Sequence, residues 1–197
     1  MTSVVDLRAY VHGASGRMLV MVDLQMRTYD ELAGHPGCDI TRSLDNCMSA
    51  IRHARASGVP IAFTRQDDES DMTGRPAGSA WIAGFEPKRC DMVFERRRPS
   101  CYGNSLFENI VGQTGSFAIA GLVAEEVCLA TAIDAAHRGH HVTFLSDASV
   151  CRGRLGTDAR TSHLHTAKAM ELFADVRATR HWLIATSQRS AKGHRYG

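Results

Sequence analysis

Short apolar runs alternate along this chain with stretches whose apolar residues recur at helical spacing. The first two apolar runs are residues 18–23 and 59–64. Between them, residues 41–57 carry apolar positions at helical spacing and stop before Gly58, a residue type that commonly ends helices. A continuously apolar run is typical of a strand buried on both faces of a parallel sheet. This part of the chain therefore predicts a strand, a helix and a second strand parallel to the first.

The same alternation continues toward the end of the chain. It predicts further strands at residues 92–94, 116–121, 141–145 and 175–178, and helices at residues 105–114, 126–138 and 159–173. Strands that alternate with helices of this length form a parallel sheet covered by helices on both faces. The sequence therefore predicts an α/β protein with a mostly parallel sheet of about six strands.

The 197 residues suit one domain of this kind. Residues 1–17 and 188–197 are polar or glycine-rich and are predicted to be an N-terminal arm and a C-terminal tail, which leaves residues 18–187 as the domain. The longest irregular stretch is residues 65–91. Loops of that length are usually lids or binding loops, so we expect this one to serve the function.

Composition excludes several classes of protein. The 44% of hydrophobic and 22% of charged residues are typical of a globular domain. Twenty-three Lys and Arg against 21 Asp and Glu give a net charge of +2, which does not favour a nucleic-acid partner. The first apolar run is far shorter than the ~20 residues that a bilayer requires, so no membrane partner is expected. The six cysteines form no CxxC pair or zinc-ligand spacing, which predicts free thiols in the reducing cytoplasm.

Motifs for cofactors and metals are missing from the sequence. The residues after the first predicted strand, Asp23 to Arg27, hold no glycine-rich phosphate loop, which disfavours NAD and ATP. The ten histidines form no DxH or HExxH pattern. We therefore expect neither a cofactor nor a metal ion.

Asp23 is the first candidate for chemistry. Ligands of open α/β sheets bind at the carboxyl ends of the strands, and Asp23 ends the first strand. Partial burial there would raise the pKa of its carboxyl group and make the group a proton donor or acceptor. The alternative is structural: the carboxylate caps a turn or pairs with an arginine.

Four blocks of the sequence carry a family resemblance. They are residues 20–25 (Val-Met-Val-Asp-Leu-Gln), 96–102 (Arg-Arg-Arg-Pro-Ser-Cys-Tyr), 121–139 and 146–148 (Ser-Asp-Ala). Over about residues 18–176, their order and spacing resemble the isochorismatase-like hydrolase superfamily. The resemblance implies a Rossmann-like three-layer α/β/α sandwich. Most members are cysteine hydrolases that use an Asp-Lys-Cys triad beside a cis peptide bond to cleave amides, ureido groups or related small substrates.

Carried over residue by residue, the triad gives one match and two departures. Asp23 matches the family acid. Arg96 stands where the family has its lysine, and arginine keeps the positive charge but does not shuttle protons near neutral pH. The family cysteine lies six residues after the strand-end glycine and four before a threonine. Counts from Gly121 and Thr131 both select Val127.

Cys128 is one residue beyond that position, and one helical step turns a side chain by about 100°. We therefore expect its thiol to pack in the core, with a raised pKa and poor reactivity, unless a local bulge brings it to the site. In the displacement of this cysteine the sequence resembles the isochorismatase subgroup. Vinyl-ether hydrolysis by that subgroup relies on an acid and needs no thiol.

Other positions fit that subgroup in part. Gln66 and Arg75 stand at its substrate-binding positions, and Trp81 follows. Alternatively, Gln66 hydrogen-bonds the backbone and Arg75 is a solvated loop charge. The subgroup's Tyr two residues after the strand-end glycine is Val123 here, and its Trp-Gly-Pro-Gly run is absent. The substrate is therefore not expected to be isochorismate.

The resemblance also places the cis peptide bond between Val123 and Ala124. The backbone N–H groups of residues 124–127, at a helix N-terminus, would then bind an oxyanion or a substrate carboxylate. Of the three consecutive arginines 96–98, we expect one to point inward.

Three functions are open at this point. The first is hydrolysis of a small anionic molecule without a thiol, with Asp23 as general acid or base and Arg96 supporting negative charge. The second is a cysteine amidohydrolase with Cys128 as nucleophile. The third is a catalytically silent binding protein of the same fold. The partner in each is a small molecule, and the family together with the two arms favours a homo-oligomer, either a dimer or a tetramer.

Overall fold

The computed structural model describes residues 18–66, 80–154 and 156–193, the last six of them through their backbone alone. Within these residues one sheet has the strands β1 Met18–Val22, β2 Ile61–Gln66, β3 Met92–Arg96, β4 Ser116–Gly121, β5 His141–Ser149 and β6 Asp175–Arg177. The α-helices are α1 Met26–Ala33, α2 Ile40–Ala56, α3 Ser105–Thr114, α4 Leu129–His137, α5 Ala159–Met170 and α6 Thr179–Gly193. A 3₁₀ turn, Cys101–Gly103, precedes α3, and a π-helical turn, Ala124–Cys128, precedes α4.

Neighbouring strands of the sheet are parallel and follow the order β3-β2-β1-β4-β5-β6. The chain builds outward from β1 on one side and from β4 on the other, so the strand order reverses between these two central strands. Helices cover both faces, which confirms the predicted α/β/α sandwich. Ligands of such sheets bind where the order reverses, at the carboxyl ends of the strands.

The alternation of side chains along each strand divides the core into two layers. In β1, Val20 and Val22 pack with helices α3, α4 and α5 on one face, and Leu19 and Met21 pack with α1, α2 and α6 on the other. A strand covered on both faces has no solvent side, and its sequence is continuously apolar for that reason.

Helices α1 and α6 are not predicted by the hydrophobic pattern. Helix α1 has only eight residues and one fully buried residue, Leu32, so its apolar pattern is too short to indicate a helix. Helix α6 docks on α2 through Trp182, which meets His53 edge-on, and Thr186, whose hydroxyl lies 2.6 Å from the His53 ring. The predicted boundary at residue 187 falls inside α6. No helix of the described ranges is long and apolar enough to cross a membrane.

Strand β5 continues beyond its predicted end at residue 145. After a register shift its last residue, Ser149, pairs with Gly121 of β4. Near that end, Asp147 accepts hydrogen bonds from the backbone N–H and the hydroxyl of Thr179 at 2.7 and 2.6 Å. The polar residues near the end of β5 can therefore belong to the strand, because neighbouring groups form hydrogen bonds with their side chains.

Candidate active site

The backbone is constrained at the edge where the strand order reverses. Asp23, directly after β1, has φ +49°, and Val123, after β4, has φ +59°; among the described residues no other non-glycine has a positive φ. Such conformations cost about 1–3 kcal/mol each and cluster at functional sites. Between them, a Cβ on Gly121 would lie 2.2 Å from the carbonyl oxygen of Val22, so β4 approaches β1 more closely than a larger residue allows.

Arg96 ends β3 and forms a buried ion pair with Asp23. Nη2 of the guanidinium donates to Asp23 Oδ2, and Nη1 donates to the carbonyl oxygen of Arg98 at 3.1 Å. The side chains of Arg96 and Asp23 are 4% and 6% exposed. Arg97 and Arg98 are exposed, so one arginine of the run points inward, as the sequence predicts.

Within the described residues, the ion pair leaves two buried polar atoms without a hydrogen-bond partner. They are Asp23 Oδ1 and Arg96 Nε. Buried polar atoms in native proteins are nearly always hydrogen-bonded, and the exceptions often have a catalytic or binding role. Asp23 thus has one oxygen anchored by Arg96 and one oxygen that is available to a ligand.

Burial raises the pKa of Asp23 to about 6, against the opposing effect of the Arg96 charge. The two interpretations of Asp23 from sequence are therefore compatible: the carboxyl group pairs with an arginine, and its pKa is raised. Both its protonated and its ionised forms are populated near neutral pH. The group can accordingly give or take a proton under ordinary conditions.

A polar cavity of about 80 Å³ lies at Asp23. The ends of β1 and β2, helix α1 and the segment after β5 form its walls, through Asp23, Gln25, Arg27, Thr28, Glu31, Gln66 and Arg152. This volume is that of two or three water molecules at ~30 Å³ each, or of one polar group of a substrate. In the described part of the chain, no group of three His, Cys, Asp or Glu side chains could hold a metal ion.

Arg152 brings a further cation to the cavity, and sequence reasoning misses it. Its two terminal nitrogens donate to Glu31 at 3.0 Å and Glu126 at 3.2 Å, and its backbone N–H donates to Glu125 at 3.2 Å. If the fifth strand ended at residue 145, as the sequence predicts, residue 152 would lie well beyond the edge of the sheet. The observed extension of β5 carries Arg152 to that edge, beside the residues that end β1 and β2.

Val127 and Cys128 do not line this cavity. Both belong to the π-helical turn and are packed in the core, 1% and 0% exposed. The turn is a local bulge, yet the thiol remains enclosed. Burial, with further contributions from Cys101, Cys151 and Asp23, raises the pKa of Cys128 well above its ordinary value. The residues described as lining the cavity include no cysteine.

Two expectations for this turn are wrong. The described chain has no cis peptide bond, so the bond between Val123 and Ala124 is trans, and the left-handed φ of Val123 makes the bend instead. The N–H groups of Ala124, Glu126 and Val127 already donate to carbonyl oxygens of Val150 and Val123. The predicted oxyanion site is therefore largely occupied by the chain itself. Val123 and Ala124 are buried and do not line the cavity.

Trp81 lies beside the cavity without lining it. It pairs with Gln25 in an antiparallel bridge and packs edge-on against Phe63, with 5.6 Å between ring centroids. The Arg65 guanidinium lies 5.9 Å from the centre of its ring. Trp81 therefore holds Gln25, a cavity residue, in place. Gln66 is the one predicted substrate-binding residue that the cavity includes, and Arg75 lies outside the described residues.

Several solved structures are similar to this chain. An isochorismatase from Pseudomonas putida KT2440 is 23% identical, with a TM-score of 0.74 over 91% of this chain and 99% of that one. A cysteine hydrolase from Pseudomonas syringae pv. phaseolicola 1448A is 17% identical, with a TM-score of 0.74 over 87% of this chain and 92% of that one. An isochorismatase-like hydrolase from Alkaliphilus metalliredigens is 15% identical, with a TM-score of 0.69 over 86% and 98%. At these identities the likeness establishes the fold.

The sequence itself establishes the family. No curated protein sequence matches the chain. The family model described as "Isochorismatase domain" matches residues 17–180, which include every strand of the sheet and the Asp23–Arg96 pair. The protein therefore belongs to the isochorismatase family of hydrolases.

Proposed function

We propose that this protein hydrolyses a small anionic molecule without a thiol, with Asp23 as the general acid. The Asp23 carboxyl group carries the proposal, because it is buried, lines a polar cavity and has one oxygen without a partner among the described residues. Burial raises its pKa and so favours the protonated form that an acid catalyst needs. No cysteine is among the described residues that line the cavity, so these residues provide no thiol for a covalent mechanism.

Arg96 supports the acid before and after proton transfer. Its guanidinium holds Oδ2 of Asp23, so the proton to be transferred is on Oδ1, the oxygen that has no partner among the described residues. When Asp23 protonates the substrate, the buried guanidinium charge stabilises the carboxylate that remains. Water then adds to the activated substrate, the bond to the leaving group breaks, and the proton that the water loses restores Asp23.

Arg152 is suited to bind the anionic group of the substrate. A guanidinium has five N–H donors, and the two glutamates take one terminal nitrogen each. The donors that remain can bind a carboxylate while one or both glutamates stay in place. The Arg152 charge lowers the pKa of Asp23, so it acts at the same site. An anion that neutralises it would leave Asp23 more readily protonated.

Replacing Arg152 with alanine is expected to raise KM roughly 10- to 100-fold and to change kcat much less, since hydrogen bonds to charged groups contribute about 1.5–3 kcal/mol. Steady-state kinetics on an anionic substrate measures both parameters. Arg154→Ala is the matched control, because Arg154 pairs with the same Glu126 and with Glu125 but does not line the cavity. Equal effects of the two variants would remove Arg152 from the binding site.

The pH dependence of kcat/KM tests the direction of proton transfer. Because Asp23 must be protonated to act as an acid, kcat/KM is expected to fall as pH rises through about 6. The free energy of unfolding should depend on pH in the same direction. The pKa of Asp23 in the folded protein is raised above its ordinary value of 3.8, so the contribution of Asp23 to stability is complete below pH 3.8 and is lost as pH rises through about 6. A rate that falls as pH is lowered through 6 would instead make Asp23 a base.

A cysteine amidohydrolase is the second candidate, because the π-helical turn provides a bulge at the predicted nucleophile position and one structural neighbour is named a cysteine hydrolase. It requires Cys128 to leave its enclosed position and lose a proton despite its raised pKa.

Turnover on a panel of small amides, ureido acids and vinyl ethers, each in anionic and neutral forms, tests the proposed function. Hydrolysis of anionic members in preference to their neutral analogues supports it. Binding of panel members without turnover of any would instead identify a catalytically silent binding protein.

A further inference from the structure

A second cavity, of about 760 Å³, lies between the N-termini of α2 and α5 and the end of β5. Small-molecule sites in proteins commonly have volumes of about 300–1,000 Å³. Its lining includes Cys38, Asp39, Arg42, Asp147, Arg160 and His163. The proposed hydrolytic reaction uses none of them.

The loop before α2 is joined to the start of α5. The N–H of Ala159 donates to the carbonyl oxygen of Pro36 at 3.1 Å. Gly37, at φ +78°, packs so closely that a Cβ there would lie 3.3 Å from Asp158 Oδ1. The first turns of α2 and α5 are thereby brought to one cavity, and each contributes an arginine, Arg42 and Arg160.

Arg42 and Arg160 are exposed cations at this cavity, and the carboxylates of Asp39 and Asp147 also line it. Neither guanidinium has a hydrogen-bond or ion-pair partner within the described residues. The two lining carboxylates keep their negative charge, and they accept hydrogen bonds from helix N-termini: Asp39 accepts from the N–H of Arg42, and Asp147 accepts from the N–H and the hydroxyl of Thr179. His163 is close to Cys151, with Nδ1 3.7 Å from Sγ, and burial lowers its pKa, so it adds no charge at neutral pH.

The second cavity is separate from the cavity at Asp23. Val150 and Cys151 line the second cavity, whereas the next residue, Arg152, lines the first. The segment that follows β5 therefore forms a wall between them, and no described residue lines both.

We propose that this second cavity binds a small organic dianion, either a phosphate monoester or a dicarboxylate, between Arg42 and Arg160. Planar guanidinium groups suit both anions because they donate two parallel hydrogen bonds to carboxylate or phosphate oxygens. The dipoles of the two helices, which point their positive ends at the cavity, add to the attraction.

Isothermal titration with phenyl phosphate and with succinate, at constant ionic strength, tests the proposal, with benzyl alcohol as the neutral control. At least one dianion should bind the wild-type protein, and the tighter of the two identifies the ligand class. The double variant Arg42→Ala, Arg160→Ala should lose at least ~10-fold in affinity, which corresponds to ~1.4 kcal/mol. Arg52→Ala, at an exposed arginine of α2 outside the lining, should bind as wild type.

Alkylation locates the bound probe independently. Cys38 lines the second cavity and is half-buried, whereas Cys90 is exposed elsewhere. The dianion should slow the reaction of Cys38 with iodoacetamide and leave Cys90 unaffected. The melting temperature without ligand verifies that the double variant is folded. Absence of binding by either dianion, undiminished binding by the folded double variant, or unprotected Cys38 would each overturn the proposal. Turnover on the panel is a separate measurement, so failure here leaves the proposed hydrolysis standing.

Discussion

Replacing Asp23 with asparagine is expected to lower kcat/KM by at least ~100-fold, within the usual range for the loss of a general acid. Asparagine has almost the same size and still accepts a hydrogen bond from Arg96, but it carries no acidic proton to transfer. The measurement is kcat/KM of the wild type and of Asp23→Asn at pH 6, on the substrate that the panel identifies.

Stability separates a loss of chemistry from a loss of fold in this variant. At pH 5 an Asp23 carboxyl group with a pKa of about 6 is mostly protonated and neutral. The neutral asparagine should therefore leave the free energy of unfolding nearly unchanged at that pH. Asp30→Asn, the same substitution at an exposed position of α1 outside the cavity, should keep full activity. Near-wild-type turnover by Asp23→Asn would show that Asp23 is not the acid.

Replacing Arg96 with methionine is expected to destabilise the protein by about 3–5 kcal/mol at pH 8, the usual cost of removing one partner of a buried ion pair. Methionine keeps the apolar packing of the arginine stem, but it leaves the Asp23 carboxylate buried without a counter-charge. The pKa of Asp23 should then rise further, because the Arg96 charge is the main effect that opposes burial. Protonation removes the unpaired charge, so the loss of stability should be smaller at pH 5.

Urea unfolding of wild type and Arg96→Met at pH 8 and pH 5 measures this difference. Arg97→Met is the control, because its side chain is exposed in the same run of arginines. Exposed substitutions usually change stability by less than ~0.5 kcal/mol. Equal destabilisation by the two variants, or a loss that does not depend on pH, would contradict a structural role for the buried pair.

The parts of the site that could be predicted are those that follow from the period of the strands. A run buried on both faces is apolar at every position, so the acid that ends it, Asp23, is conspicuous in the sequence. Gln66 ends the next strand and lines the cavity for the same reason. The inward direction of Arg96 follows from the alternation along β3, in which Met92, Phe94 and Arg96 are buried.

The parts that could not be predicted depend on contacts between distant segments. Strand β5 continues through polar residues because Thr179 satisfies Asp147, and the position of Arg152 depends on that extension. The bend after β4 is made by a left-handed Val123, a conformation that β-branched residues seldom adopt. Its carbonyl oxygen and that of Val150 then occupy the N–H groups where we expect an oxyanion site. A local pattern contains none of this information.

The most direct test of thiol independence is kcat/KM of Cys128→Ala beside that of wild type, with mass spectrometry to follow alkylation of Cys128 by iodoacetamide. Cys128 is fully buried and its pKa is raised well above the ordinary value. We therefore predict that the variant keeps most of the activity, loses about 1 kcal/mol of stability, and that the wild-type thiol reacts slowly. Loss of turnover in the folded variant, together with rapid and selective alkylation of Cys128, would contradict this prediction and make the protein a cysteine hydrolase.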